Sequence, residues 1–196
     1  MIFLSAVFIV FAVIVVLLIS AGIYAVVIYN GLVRLRNNID RNWSNIDVLL
    51  KQRTDEIPRL VAVCEGYMRH ERNTLEAVTQ ARASAIRPGG GATAGQQEIT
   101  AQNNISHALK SLFAVVENYP DLKADQAFRQ LQNRITQLED QIADRREFFN
   151  ESVNLYNIAI EQFPDAIIAR LAGCRPRVLW EIAAEDRAVP SASIKQ

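Results

Sequence analysis

The side chains that most often carry acid–base or metal chemistry are scarce in this sequence. It has two histidines and two cysteines among 196 residues. His70 and Glu71 open a string that begins like a zinc-protease helix motif, but position 74 is threonine where that motif needs its second histidine. His107 follows Asn104 at the spacing where a di-iron bundle requires glutamate. The spacing therefore predicts no metal site and no cofactor.

The cysteines and the carboxylates form no catalytic pattern either. Cys64 and Cys174 have no CxxC spacing and no histidine close in sequence, which favours buried or incidental thiols over nucleophiles. A cluster of acidic residues surrounds Arg145 and Arg146, and mutual neutralisation on a solvated helix face explains it more simply than catalysis. Its members are Glu139, Asp140, Asp144 and Glu147. We therefore predict no catalytic residue and no enzymatic activity.

The glycine-rich stretch at 88–95 is the remaining candidate for ligand chemistry. A phosphate-binding loop needs a preceding strand and a following Gly-Lys-Ser/Thr, whereas Gln96, Gln97 and Glu98 follow here. The composition predicts a flexible loop instead.

Charged side chains are confined to the chain beyond position 33. The 21 basic and 21 acidic residues balance, which argues against a nucleic-acid partner because phosphate affinity needs a surplus of Lys and Arg. An almost unbroken apolar run extends from Ile2 to Tyr29. As a helix it would be about 42 Å long, more than the ~30 Å hydrocarbon layer of a bilayer. We therefore predict a transmembrane helix over residues 1–30, with the lipid bilayer as a partner.

A cleaved secretion signal is the alternative interpretation of this run. The run lacks a basic n-region and is much longer than the usual ~7–15 apolar residues of a signal, so the span is favoured. Arg34, Arg36 and Arg41 outnumber Asp40 on its C-terminal side, and positive charges near a span prefer the cytoplasm. We expect an outside N-terminus and a cytoplasmic domain.

Residues 32–87 have the periodicity of one long helix. Their apolar positions recur at alternating steps of three and four, which indicates a heptad-like seam. Arg53 and Glu71 are charged exceptions; we expect their side chains to reach solvent at the edge of the seam, with packing specificity and partner contacts as alternatives. Pro58 removes a backbone donor, so a bend or restart is expected there. The seam comprises Ile39, Trp43, Ile46, Leu50, Arg53, Ile57, Leu60, Cys64, Tyr67 or Met68, Glu71, Leu75 and Val78.

Two further helices are predicted in the rest of the chain. The first covers about 96–117 and ends before a turn sequence at 118–121. The second carries an apolar stripe at every seventh residue and needs a packing partner, for which the seam of the first helix is suited. This stripe comprises Phe128, Ile135, Ile142, Phe149, Tyr156 and Phe163, with Leu131 and Leu138 interleaved. Beyond Gly173 we expect an irregular segment, anchored by Val178, Leu179, Trp180 and Ile182.

Asparagines recur along the predicted helices. Buried amides often fix the register of packed helices, whereas exposed ones are solvated, and the sequence leaves these two interpretations equally open. They are Asn37, Asn38, Asn42, Asn45, Asn150, Asn154 and Asn157.

Together these patterns predict an all-α fold, with an N-terminal transmembrane helix followed by an elongated antiparallel three- to four-helix bundle. The transmembrane helix occupies 1–30. The bundle occupies 31–182 and is interrupted by the flexible loop at 88–95. An irregular C-terminal tail occupies 183–196.

Order-specific strings extend from residue 29 to about 182. The first half contains Tyr29-Asn30-Gly31-Leu32-Val33-Arg34-Leu35-Arg36-Asn37, Trp43-Ser44-Asn45-Ile46-Asp47-Val48 and Ile57-Pro58. The second half contains Glu117-Asn118-Tyr119-Pro120-Asp121-Leu122-Lys123-Ala124, Arg145-Arg146, Phe149-Asn150, Tyr156-Asn157 and Phe163-Pro164. In this order the strings resemble the LemA family of bacterial membrane proteins.

The resemblance implies one N-terminal span, a long-helix bundle, a place in the bacterial inner membrane and no recognised active site. Some members of the family are linked with organising or remodelling membranes, including magnetosome-membrane formation, and others occur alongside membrane peptidases or signalling proteins.

Long amphipathic helices without a catalytic cluster favour a structural function. The first hypothesis is a membrane-anchored scaffold that forms homo-oligomers or binds protein partners to organise an assembly at the membrane, with membrane remodelling as one outcome. The alternative is a signalling or regulatory subunit that couples the membrane to a partner enzyme such as a membrane peptidase.

Overall fold

The computed structural model describes residues 2–86 and 96–181, with side chains from Phe8 onward. Of these described residues, 87% lie in six helices and none lies in a strand. The helices are α1 (Ile2–Tyr67), α2 (Arg72–Ala85), α3 (Gln96–Val116), α4 (Pro120–Ala124), α5 (Gln126–Glu161) and α6 (Asp165–Leu171). The prediction of an all-α protein with a long apolar N-terminal helix and bundle-like packing is confirmed. The loop predicted at 88–95 and the tail predicted at 183–196 lie outside the described residues.

The apolar run forms the first part of α1, and its described side chains from Phe8 to Val27 are not covered by protein. Its most apolar window of 18 residues has a mean hydropathy of 2.9 and is 0% buried, so this helix is long and apolar enough to cross a membrane. Phe8, Phe11 and Leu18 are 72%, 64% and 68% exposed. Contact of such side chains with water is unfavourable, whereas contact with lipid is not.

The helix is continuous through Pro58, so the restart that the sequence allowed at this proline does not occur there. The break comes at 68–71, where the Glu71 N–H donates to the Met68 carbonyl at 3.0 Å. Because Pro58 has no N–H, the carbonyl of Thr54 loses its helical donor. That carbonyl instead accepts a hydrogen bond from Nε of Arg82 in α2 at 3.0 Å. The side-chain donor explains how α1 continues past the proline.

The described residues form two compact units. The first comprises those of Met1–Ile39 and Ser152–Arg177, and the second those of Asp40–Glu151 and Val178–Gln196. In the first unit the buried apolar side chains come from α1, α5 and α6. They are Ile28, Leu32, Ile39, Val153, Tyr156, Ile160 and Ala169.

The second unit contains the larger core, to which α1, α2, α3, α4 and α5 all contribute, and α2 packs directly on α3. Asp125 caps the start of α5 by accepting the Phe128 N–H at 2.9 Å. The core side chains are Ile57, Leu60, Cys64, Met68, Leu75, Val78, Ile105, Leu109, Leu112, Val116, Leu122, Phe128 and Ile135.

The stripe predicted on the last long helix is buried from Phe128 to Tyr156 but not at its final position. Phe163 is 84% exposed. The prediction was wrong there because α5 ends at Glu161, so the seven-residue period no longer describes the geometry of the chain.

Candidate functional site

The histidines, cysteines and carboxylates considered in the sequence analysis do not come together in a metal site. Over residues 2–86 and 96–181, no group of three or more His, Cys, Asp or Glu side chains is placed to hold a metal ion. His70 and His107 are exposed. The carboxylate of Glu71 accepts a hydrogen bond from the Tyr119 hydroxyl at 3.2 Å. Burial raises the pKa of the Cys64 thiol to about 11, which keeps it protonated at neutral pH.

The second unit instead contains a polar cluster around Arg53, whose side chain is 1% exposed. Its Nη1 donates to Oε1 of Glu139 at 2.6 Å and to the Ser106 hydroxyl at 2.8 Å. Its Nη2 donates to Oε1 of Gln102 at 2.6 Å and to the carbonyl of the same residue at 3.3 Å. The Ser106 hydroxyl in turn donates to Oε2 of Glu139 at 2.9 Å. The cluster therefore joins α1, α3 and α5.

This geometry corrects two predictions. Arg53 does not reach solvent at the edge of the seam; packing specificity, one of the alternatives, describes it better. Glu139 is not part of a mutually neutralised surface, because its carboxylate is the counter-ion of Arg53 and its side chain is 29% exposed. Both oxygens of that carboxylate are engaged, so the cluster holds three helices together.

A second cluster of the same unit consists of aromatic rings around Trp43, one of which is Trp180, in the extended segment that follows α6. The ring of Trp43 lies 5.7 Å from that of Trp180 and 5.3 Å from that of Phe149. Trp43 and Trp180 are each 2% exposed. The indole N–H of Trp180 donates to Oδ1 of Asn103 at 2.9 Å, and Nδ2 of Asn103 donates to the Glu181 carbonyl at 3.0 Å.

Asn150 of α5 fixes the backbone of this segment. Its Oδ1 accepts the Trp180 N–H at 2.7 Å, and its Nδ2 donates to the Trp180 carbonyl at 3.0 Å. One side-chain amide thus pairs with both the N–H and the C=O of one residue, as a residue of a neighbouring antiparallel strand would. The prediction that Trp180 anchors this region is confirmed. Val178 is 49% exposed and does not act as an anchor, whereas Ile182 lies beyond the described residues.

The first unit has an open cleft of about 420 Å³ where α1 leaves the apolar run. One wall consists of Tyr29, Leu32, Val33 and Arg36 of α1. The opposite wall consists of Tyr156 and the segment from Ala172 to Arg177. The lining includes three arginines and no acidic residue: Arg36, Arg175 and Arg177. The cleft therefore has a positive potential and is suited to an anion.

Asn157 and Tyr156 hold the second wall of the cleft in place. Oδ1 of Asn157 accepts the Arg177 N–H at 2.8 Å, and its Nδ2 donates to the Arg177 carbonyl at 2.9 Å. Tyr156 is 3% exposed, and burial, followed by its hydrogen bond with Cys174, raises the pKa of its hydroxyl. The wall is therefore an ordered part of the unit.

Next to the cleft, α6 presents large apolar side chains outward. Ile167 and Leu171 lie four residues apart on this helix and are 53% and 81% exposed, and Phe163, in the turn that precedes α6, is 84% exposed. Sequence reasoning missed both this face and the cleft, although it used Arg36 to orient the span. The basic, turn-rich string at 173–177 was the only sequence feature that could have indicated the cleft, but it does not show that the chain returns to α1.

The comparisons with known proteins agree with the architecture. A model of the LemA family matches residues 42–193. Magnetosome protein MamQ of Magnetospirillum gryphiswaldense is 24% identical over 167 residues, which cover 74% of this chain and 61% of that protein. Magnetosome proteins MamQ 1 and MamQ 2 of Paramagnetospirillum magneticum are each 25% identical over the same shares. The chain thus spans about three fifths of the length of these curated relatives.

Proposed function

Since this chain belongs to the LemA family and is similar to magnetosome proteins, we propose that it is a membrane-anchored scaffold of the bacterial inner membrane. In this function it self-associates or binds protein partners and so organises an assembly at the bilayer, with membrane remodelling as one outcome. The uncovered apolar segment of α1 supports the association with a membrane.

The observation that supports self-association most directly is a second apolar face on α5. Leu155 and Ile158 are 50% and 42% exposed, and their spacing of three residues gives them a common side of the helix. The stripe that contains Phe149 and Tyr156 faces the interior. A helix that is apolar on two sides has more apolar surface than its own fold covers. A second copy of the chain is the simplest cover, because it offers the same surface.

The proposal is tested by measuring the mass of the full-length protein in mild detergent with light scattering. We expect a dimer or a larger oligomer, and expect the Leu155→Glu/Ile158→Glu variant to be monomeric because charges in an apolar interface are costly. Val48→Glu is the matched control, since Val48 is also apolar and 57% exposed but lies on α1. A wild-type monomer that captures no partner, or an oligomer that survives the double change, would count against the scaffold.

The alternative is a regulatory subunit that couples the membrane to an enzyme such as a membrane peptidase. The feature that favours it is the contact at Pro58, because a helix held past its proline by the side chain of Arg82 can change its bend when that contact is released. Under this alternative, deleting the protein changes the activity of the partner and leaves membrane shape unaltered. Under the scaffold proposal, membrane organisation changes.

The orientation is also part of the proposal. Arg34, Arg36 and Arg41 support a cytoplasmic position for the residues beyond the span. An Asn45→Cys variant in a Cys64→Ser/Cys174→Ser background tests it with a membrane-impermeant thiol reagent. Labelling only after the cells are opened supports the orientation, and labelling of intact spheroplasts contradicts it.

A further inference from the structure

The cleft of the first unit begins where the apolar run of α1 ends. Tyr29 is the last residue of the run, and the same residue lines the cleft together with Arg36 about two turns further on. At about 1.5 Å per residue, Arg36 is roughly 10 Å along the helix from Tyr29. If the run lies in the hydrocarbon layer, that distance places the arginine at the level of the lipid headgroups.

Charge is unevenly distributed between the two units. The first unit has five arginines and two acidic residues, Glu161 and Asp165, so its formal net charge is +3 while the whole chain is neutral. Three of the five arginines line the cleft. Arg36 and Arg175 are exposed, and the backbone of Arg177 is fixed by Asn157. The positive charge therefore converges on one cleft, and does so beside the membrane-spanning part of the helix.

The outward face of α6 belongs to the same unit and is apolar. Leu171 is followed directly by Ala172, which lines the cleft. An apolar helix face bordered by arginines is the pattern of a segment that lies in the plane of a membrane interface, with its side chains at the boundary of headgroups and acyl chains. Water is a poor environment for Phe163 and Leu171, both of which are more than 80% exposed.

We propose that the cleft and α6 form a lipid-docking surface, in which the arginines bind the phosphate of an anionic glycerophospholipid while Phe163, Ile167 and Leu171 enter the acyl boundary. Guanidinium groups suit this ligand because each can donate two parallel hydrogen bonds to phosphate oxygens. The apolar wall of Leu32 and Val33 is placed to contact the glycerol and the first acyl carbons. A soluble phosphate would use only the arginines, so the apolar surroundings favour the lipid.

Native mass spectrometry of the full-length protein in detergent tests the lipid site. The protein is titrated with phosphatidylglycerol, with phosphatidylcholine and with soluble glycerol 3-phosphate. We expect phosphatidylglycerol to bind at least about tenfold more tightly than phosphatidylcholine. The affinity of the Arg36→Gln/Arg175→Gln variant for phosphatidylglycerol should fall roughly tenfold or more, because each basic group near a membrane surface strengthens the binding of anionic lipid. Glycerol 3-phosphate should bind much more weakly than the lipid.

Arg34→Gln/Arg170→Gln is the matched control. It removes the same charge from the same unit, but neither residue lines the cleft. We expect it to retain phosphatidylglycerol affinity within about twofold, because the specific contacts remain. Equal losses of phosphatidylglycerol affinity in the two variants would show that only the overall charge of the unit matters. Equal affinity for phosphatidylglycerol and for glycerol 3-phosphate would show that the ligand is soluble. Either result overturns the proposal.

The depth of α6 is tested by a second measurement. A fluorophore is attached at Leu171→Cys in a Cys64→Ser/Cys174→Ser background, and the protein is placed in nanodiscs that contain lipids brominated on their acyl chains. We expect strong quenching at this position and little quenching at Val48→Cys, which lies on α1 roughly 28 Å beyond Tyr29. Equal quenching at both positions would contradict the docking of α6.

This inference depends on the membrane anchoring in the proposed function but not on the self-association. The oligomer measurement separates lipid binding from self-association. The Leu155→Glu/Ile158→Glu variant should lose the oligomer and keep phosphatidylglycerol binding. The Arg36→Gln/Arg175→Gln variant should keep the oligomer and lose phosphatidylglycerol binding. Loss of both properties in both variants would contradict a separate lipid site.

Discussion

Arg53 shows how one charged residue can specify the packing of three helices. Its guanidinium is removed from water, and Glu139, Ser106 and Gln102 supply its partners. Nε of Arg53 is buried and has no hydrogen-bond partner in the described part of the chain, so the site is not fully satisfied. A buried ion pair of this kind is weak evidence for net stability, but the loss of one partner leaves the other charge stranded.

Substitution of Arg53 should therefore be strongly destabilising, and more so than removal of the whole pair. We expect Arg53→Ala to lower the free energy of unfolding by about 3–5 kcal/mol, because Glu139 then loses its counter-ion. Arg53→Met/Glu139→Met should recover most of this loss, since neither charge remains. Urea denaturation of the detergent-solubilised protein, followed by far-ultraviolet circular dichroism, measures both. A double variant less stable than Arg53→Ala would mean that the pair itself is strongly favourable.

Asp125 gives the second unit a defined pH dependence. The N–H of Phe128, followed by the hydroxyl of Tyr67, stabilises the carboxylate and holds its pKa below the ordinary value of 3.8. A carboxyl with a lowered folded pKa contributes stability above its unfolded pKa and loses it as the pH falls through the folded pKa. The same contact raises the pKa of Tyr67 above 10.0, so its contribution is present below that value and disappears as the pH rises through the folded pKa.

We expect Asp125→Ala to melt several degrees lower than the wild type at neutral pH, with the difference shrinking as the pH falls below about 3.8. Tyr67→Phe is the control that removes the side-chain contact and leaves the helix cap. It should lower the melting temperature less than Asp125→Ala does. A constant difference between Asp125→Ala and the wild type down to strongly acidic pH would show that the carboxylate charge plays no part.

At the scale of the helix, Arg82 and Pro58 form a compensating pair. The side chain of Arg82 supplies the donor that Pro58 cannot give to the Thr54 carbonyl. We expect Arg82→Met to cost about 1–2 kcal/mol in the wild type, because a partly buried carbonyl loses a charged donor. In a Pro58→Ala background the cost should be much smaller, since the N–H of alanine can bond to that carbonyl. Urea denaturation of the four proteins gives the coupling, and additive effects would contradict the compensation.

The sequence predicts the helices where the buried side chains recur at a regular spacing. The apolar seam positions from Ile39 to Cys64 are buried as expected, because a seven-residue repeat brings them to one side of α1. The setting of Arg53 was not predictable, since its partners lie 49 to 86 residues away and a local period does not record them. The break at 68–71 was not predicted, because the apolar spacing runs on through Leu75 and Val78 and the string from 68 to 71 contains neither proline nor glycine.

The candidate lipid surface shows the same limit. The sequence marks Asn157 and Asn150 as notable amides, but it cannot show that they pair with the backbone of Arg177 and Trp180 in an extended segment. The cleft exists only because that segment returns to α1 beside Arg36. A charge count can assign arginines to the neighbourhood of a span, whereas their convergence on one cleft depends on the tertiary fold.

At the scale of the whole molecule, two kinds of contact with lipid have different strengths. Between Phe8 and Tyr29, α1 offers fifteen exposed large apolar side chains, and transfer of such a helix into a bilayer is effectively irreversible. The docking surface contributes Ile167 and Leu171 of α6, Phe163 in the turn before it, and three arginines, which give only reversible binding. The span is therefore expected to anchor the protein, with the docking surface adjusting its position against the headgroups.

Charges placed inside the apolar run should separate anchoring by the span from binding by the docking surface. Each arginine at the centre of a span costs about 2.5–3.5 kcal/mol on insertion scales, so we expect Val13→Arg/Leu17→Arg to prevent stable insertion. Alkaline carbonate extraction of cell membranes measures this: the wild type should stay in the pellet, and the double variant should be released because reversible surface binding does not survive the treatment. Val48→Arg, at an exposed apolar site outside the run, should stay in the pellet. A double variant that resists extraction would mean that the part of α1 from Phe8 to Tyr29 is not the anchor, and that the uncovered side chains there must be buried against another protein.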